Sequence, residues 1–306
     1  MIYGRYRIES DEKDVNSIIS KVAMAHKYAK NHPDYKIFNY GIKLKEEMLE
    51  ETKLTNKMED ALYNEEFKVF LQPKYSIADN TIVGAEALVR WIEKDGKMIF
   101  PDKFIPLFER NGFITRIDKY MLERVCMIIQ EWITQGIPPI CISVNFSRIH
   151  TNNPDFVEEI RDIISKYDIP TEYIEIELTE STILDKENDM ISIFEQFKNN
   201  NIMVAMDDFG SGYSSLGFLK NFALDVIKLD KSFLSYETDK EKGRVVIRNI
   251  VKMIQELGIK IVAEGVETKE QVDFLRGIGC DMAQGYFFAR PLPTVQFNEL
   301  LTANLE

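Results

Sequence analysis

Cysteine and histidine are both scarce in this 306-residue chain, which has only three of each. Cys126, Cys141 and Cys280 are far apart and form no C-x-x-C pair. That argues against a zinc ribbon or a disulfide framework and suits a reducing cytoplasm, with the three thiols read as small buried hydrophobes. No apolar run approaches the roughly 18 residues that a membrane span needs, and no signal peptide opens the chain. No membrane contact is therefore expected of these residues, although an anchor upstream stays open. Positive charge is also in deficit, because acids exceed bases by 50 to 38, a formal charge of -12. A field of that sign repels polyanions, which disfavours duplex nucleic acid as a partner. A small phosphate ligand would need local cations.

What the chain has is regular alternation. From about residue 67 onward, FKVFLQPKYS, TIVGAEALVRW, ICISVNFS, YIEIELTE, IMVAMDDF, VIKLDKSF, KIVAEGV and MAQGYFF read as strands of β-branched and aromatic type. Helical patterns lie between them. IDKYMLERVCMIIQEWITQG stops at Gly136 before Pro138 and Pro139; a second helix is expected to start at Asn153 as N-cap; KGRVVIRNIVKMIQELG ends at Gly258. Eight strands separated mostly by helices predict an α/β fold, a (β/α)8 barrel of the TIM type. The first two strands are joined only by SIADNT, too short for a parallel crossover, so one strand is expected to run against the others. Residues 1–46, with IYGRYRIES, SIISKVAMAHKYAKN and YKIFNY, are too few to close a core alone and belong to something else. The helical segment that follows joins this piece to a barrel domain spanning 47–306.

Function in such a barrel sits at the C-terminal strand ends. Those ends carry Glu86 and Arg90, Asn145, Glu177 and Glu180, Asp207 and Asp208, Lys228 and Asp230, Glu264 and Glu267, and Gln284. Two unscreened carboxylates about 4 Å apart repel by roughly 4 kcal/mol at an effective dielectric near 20. Several together need cations, and only Lys228 and Arg90 are near in this reading. Oxygen donors with one amide suit Mg²⁺ or Mn²⁺. Asp207 can bridge two such ions while Asp208 reaches the second alone, a pair able to clamp both oxygens of a phosphodiester in line. The Gly210 and Gly212 turn, with Ser211, Ser214 and Ser215, reads as a loop over that site. His26, His32 and His150 lie outside the set, so the nucleophile is sought in a water acidified by a cation, with Lys228 orienting it or stabilising phosphoryl charge. A merely structural glycine turn, and a Lys228 that only pairs with an acid, are the competing readings.

The stretches LQPKYS, GAEALVRW, SVNFS, IELTES, MDDFGSGYSSL, IKLDKSF, AEGVET and AQGYFFARP, in that order, resemble an EAL-domain cyclic-di-GMP phosphodiesterase over roughly residues 50–306. The resemblance implies metal-dependent hydrolysis of cyclic di-GMP to linear pGpG. It implies that Glu86, Asn145, Glu177 and Asp207 hold one Mg²⁺ or Mn²⁺, and that Asp207, Asp208 and, directly or through water, Glu264 hold another. Lys228 matches the lysine near the attacking water and Gln284 the glutamine of the active-site rim. Glu180 matches the anchor of the Asp-Asp loop, around which the family forms homodimers. Gln72, Leu88, Arg90 and Glu267 match substrate-contact positions, and no catalytic position departs from the pattern. Residues 1–46 resemble the tail of a GGDEF-type domain without its signature. The alternatives are a receptor that binds the dinucleotide without cutting it, and an unrelated metal-dependent barrel enzyme such as a lyase.

Overall fold

In the computed structural model, residues 1–31, 36–185, 187–210, 216–234 and 240–305 are described. The predicted loop residues Ser211, Gly212, Ser214 and Ser215, and His32, lie outside them. The chain divides into two compact units, Met1–Glu65 and Glu66–Glu306.

In the first unit, β1 (Tyr3–Tyr6) and β2 (Ile37–Tyr40) pair in parallel, with α1 (Val15–Asn31) between them in sequence. Helix α2 (Ile42–Tyr63) follows. The expected strand, helix, strand and long helix are all present.

The second unit is the barrel. Its eight staves are β3 (Phe67–Ser76), β4 (Ile82–Ile92), β6 (Cys141–Asn145), β7 (Ile174–Thr179), β8 (Met203–Phe209), β9 (Val226–Leu229), β10 (Lys260–Ala263) and β11 (Met282–Ala283). They pair in that order, and β11 returns to β3 to close the ring. Strand β3 is antiparallel to both neighbours, and every other neighbouring pair of staves is parallel. The short link before β4 forces that reversal. Two-residue strands β5 (Met98–Ile99) and β12 (Leu292–Pro293) extend the sheet at β4 and β3.

Helices α3 (Pro101–Asn111), α4 (Ile114–Gln135), α5 (Phe156–Ser165), α6 (Glu180–Asp185), α7 (Glu187–Asn199), α8 (Lys240–Glu256), α9 (Lys269–Gly277) and α10 (Thr294–Leu305) follow their strands. Helix α4 ends at Gly136, left-handed at φ 73°, as its sequence predicts. The helix expected to start at Asn153 instead begins at Phe156, with Asp155 in the N-cap position. Asn153 is occupied differently: its Oδ1 accepts the Asp155 N–H at 3.1 Å and its amide donates to Glu159 at 3.0 Å. The segment VIKLDKSF also stops being a strand at Leu229, because Asp230 accepts the Ser232 N–H at 2.9 Å and starts a turn. Among the described residues, no helix is long and apolar enough to cross a membrane.

Candidate active site

Alternation along β4 turns Glu86 to the barrel interior, where it lies opposite Gln72 of β3. Beyond Ala87 the strand has no partner residue on β6, so Leu88 and Arg90 rise above the closed ring. Glu177, near the end of β7, lies level with Asn145 of β6.

Strand β8 breaks the rule that neighbours face opposite ways. Met206 pairs with Ile227 and Phe209 with Leu229, so Asp207 and Asp208 together oppose the single residue Lys228. This is a β-bulge, which bends the strand and re-aims its side chains. Asp208 carries the bend at φ 57°, a conformation that aspartate adopts more readily than most residues. Its N–H is held by Asp207 Oδ1 at 2.9 Å. Gly210 follows at φ 88°, where an added Cβ would lie 2.0 Å from the Phe233 ring. The Gly210 N–H donates to Glu180 Oε2 at 2.8 Å, which ties β8 to the start of α6.

Lys228 is the hub, with its side chain buried and its Nζ 2.7 Å from Glu177, 2.9 Å from Glu264, 3.0 Å from Asp207 and 3.3 Å from Glu86. Glu86 accepts from Asn145 at 2.8 Å and from Gln284 at 2.6 Å, and Gln284 also donates to Gln72 at 3.0 Å. Candidate ligand oxygens of Glu86, Glu177 and Asp207 lie within 4.8 Å of one another, as do those of Asp207, Asp208 and Glu264. Beside them is a cavity of about 350 Å³ lined by Gln72, Leu88, Asp208, Glu264, Glu267 and Gln284, among others. Arg90 stands apart from the acids: its Nη1 donates to the Val89 carbonyl at 2.8 Å, and it lines a neighbouring cavity of about 320 Å³. His150 pairs with Asp118 at 3.1 Å rather than with the cluster.

The expectation that only Lys228 and Arg90 neutralise these acids needs correcting. Lys74 of β3 is also buried in the barrel, 2.7 Å from Glu175 and 3.1 Å from Glu177. Strand β3 runs the other way, which puts Lys74 below Gln72 rather than above it and outside the strand C-termini that meet the mouth. The alternation Gln72, Lys74 in LQPKYS was the available signal.

Burial pushes the Glu86 carboxyl up, reinforced by the Glu177 charge. Burial also raises Asp207 and Asp208, and takes Glu264 up to about 8. Glu177 differs: burial favours its neutral form, but Lys228 and Lys74 outweigh that and hold it at about 2. Six carboxylates (Glu86, Glu175, Glu177, Asp207, Asp208, Glu264) thus meet two ammonium groups (Lys74, Lys228), and two divalent cations would offset the difference. The donors fit such ions, being oxygens throughout. Gln284 Oε1 is in addition buried without a partner among the described residues.

A family model described as EAL domain matches residues 55–291. The chain belongs to the EAL domain family. It is similar to the signaling protein YkoW of Bacillus subtilis, at 32% identity over 95% of this chain and 36% of the relative. It is likewise similar to the cyclic di-GMP phosphodiesterase NbdA of Pseudomonas aeruginosa, at 32% identity over 83% of this chain and 32% of the relative. The chain thus spans about a third of the length of these curated relatives. The solved PaMucR phosphodiesterase, in complex with c-di-GMP, is 31% identical with a TM-score of 0.75, over 80% of this chain and 99% of that one.

Proposed function

We propose that this EAL domain, residues 47–306, is a metal-dependent phosphodiesterase that hydrolyses one phosphodiester bond of cyclic di-GMP to give linear pGpG. The observation that carries this reading is the convergence of carboxylates from four strands on the buried Lys228 of a fifth, beside a cavity of about 350 Å³. The names of NbdA and of the PaMucR complex support the substrate.

In this reading Glu86, Asn145, Glu177 and Asp207 hold one Mg²⁺ or Mn²⁺, and Asp207, Asp208 and Glu264 hold the second. Bound there, the ions supply Lewis-acid stabilisation of the attacking and leaving oxygens. The chain itself does the positioning. Lys228 orients the attacking water and offsets charge on the phosphoryl oxygens. Gln284 fixes Glu86, and Gln72, Leu88, Arg90 and Glu267 seat the dinucleotide, with the planar Arg90 fork suited to a phosphate. Glu180 anchors the Asp-Asp loop through the Gly210 N–H, and we assign the homodimer contact to that region. Residues 1–46 are read as a remnant of a GGDEF-like domain, supported by the parallel β1–β2 pair with its intervening helix. Three free cysteines support a cytoplasmic setting.

The test is to incubate the protein with cyclic di-GMP and Mn²⁺, with and without chelator. Chelator-sensitive appearance of pGpG is the expected outcome. Binding of intact nucleotide with no product under either condition would overturn the reading in favour of a receptor.

A further inference from the structure

Lys74 plays no part in the chemistry above, yet it touches a residue that does. Its Nζ lies 2.7 Å from Glu175 Oε1 and 3.1 Å from Glu177 Oε1, while Glu177 Oε2 faces Lys228 at 2.7 Å. The two oxygens of Glu177 are therefore divided between two lysines on opposite sides. Lys228 has three further carboxylates within reach, whereas Lys74 has Glu175 and Glu177 alone among the described residues. Gly84 lies across the strand pair, where an added Cβ would stand in ordinary contact with Lys74 Cδ at 3.7 Å and tight against the Cys141 carbonyl at 3.1 Å. Glu175, one step below Glu177 on the same face of β7, balances the lysine's charge, so the pair as a whole adds no repulsion toward a cation.

We propose that Lys74, backed by Glu175, is a positioning residue: it ties down Glu177 Oε1 so that Oε2 alone is offered to a divalent cation. This rests on the metal-dependent reading of the site. Buried charged partners behind a metal-ligating carboxylate fix its orientation, and losing such a partner typically weakens metal affinity about 10–100-fold.

The experiment measures Mn²⁺ binding to the chelator-stripped full chain by electron paramagnetic resonance, before any turnover assay. Lys74→Met with Glu175→Met removes the pair while leaving the local charge balance unchanged. About 10–100-fold weaker Mn²⁺ binding is expected, with cooperative unfolding retained and the KM for cyclic di-GMP unchanged at saturating Mn²⁺. Glu175→Gln is the second variant, informative even if the double variant does not fold. With Glu175 neutral, Lys74 leans on Glu177 alone and competes with the cation, so weaker binding is again expected. Wild-type affinity in either folded variant overturns the proposal and leaves the phosphodiesterase reading standing. Absence of Mn²⁺ binding by the wild-type chain overturns both.

Discussion

The two faces of β4 obey opposite rules. Inward, Glu86 enters a crowd of carboxylates held together by Lys228. Outward, Ala85, Ala87 and Trp91 are buried and Val89 is half-buried, and Trp91 packs with Phe67, Phe104 and Phe108 at ring-centroid distances of 5.0–5.9 Å. The Trp91 indole N–H also donates to Glu66 at 3.0 Å. One face buries apolar surface and satisfies its polar atoms. The other concentrates like charge that costs stability until cations arrive, as sites selected for chemistry commonly do. A strand's period of two keeps these demands a single residue apart.

If that division holds, substitutions on the two faces should separate cleanly. Glu86→Ala should leave a folded protein and lower turnover about a thousandfold or more, through lost transition-state stabilisation of several kcal/mol. A steady-state assay with circular dichroism checks it, and near-normal turnover would remove Glu86 from the site. Trp91→Ala should do the reverse, lowering stability by about 3–5 kcal/mol while the fraction still folded at low temperature keeps its turnover and Mn²⁺ binding. Denaturant titration of the variant measures this, and a large loss of turnover without loss of stability would break the comparison.

The smallest effect is in the pH dependence of the cation-free protein. Burial raises Glu86, Asp207 and Asp208, and takes Glu264 up to about 8, so between the ordinary carboxylate range and pH 8 the folded chain binds more protons than the unfolded one. Stability must then fall as pH rises through that window. Glu177, held at about 2, contributes only below it. Melting curves from pH 5 to pH 8 should show a falling Tm without cations and a flatter profile with saturating Mn²⁺. A Tm that rises across this range in the cation-free protein would mean that the acids are far less strained than the inner face suggests.

Much of the inner face was legible because strand ends in a barrel inherit their location from the alternation of apolar residues, and Glu86, Glu177, Asp207 and Glu264 sit where that pattern places them. Lys74 was missed for a physical reason: the reversed first strand inverts which of its ends meets the mouth. The Asp207–Asp208 pair was legible as an oddity, but not as a bulge, since a bulge exists only relative to a neighbouring strand. Asn153 misled for a similar reason, its side chain being taken up by Asp155 and Glu159 instead of a helix end.

The order of amino acids by itself settled the number of staves, the reversal of one of them and the chemical character of the residues near the mouth, because each follows from local periodicity and connection length. Only the closed ring decided which oxygen meets which ammonium group. The double role of Glu177 between Lys74 and Lys228 depends on side chains 101 to 103 positions apart on one flank and 51 on the other. Contacts so distant along the chain have no local signature, and exist only once β11 has closed against β3.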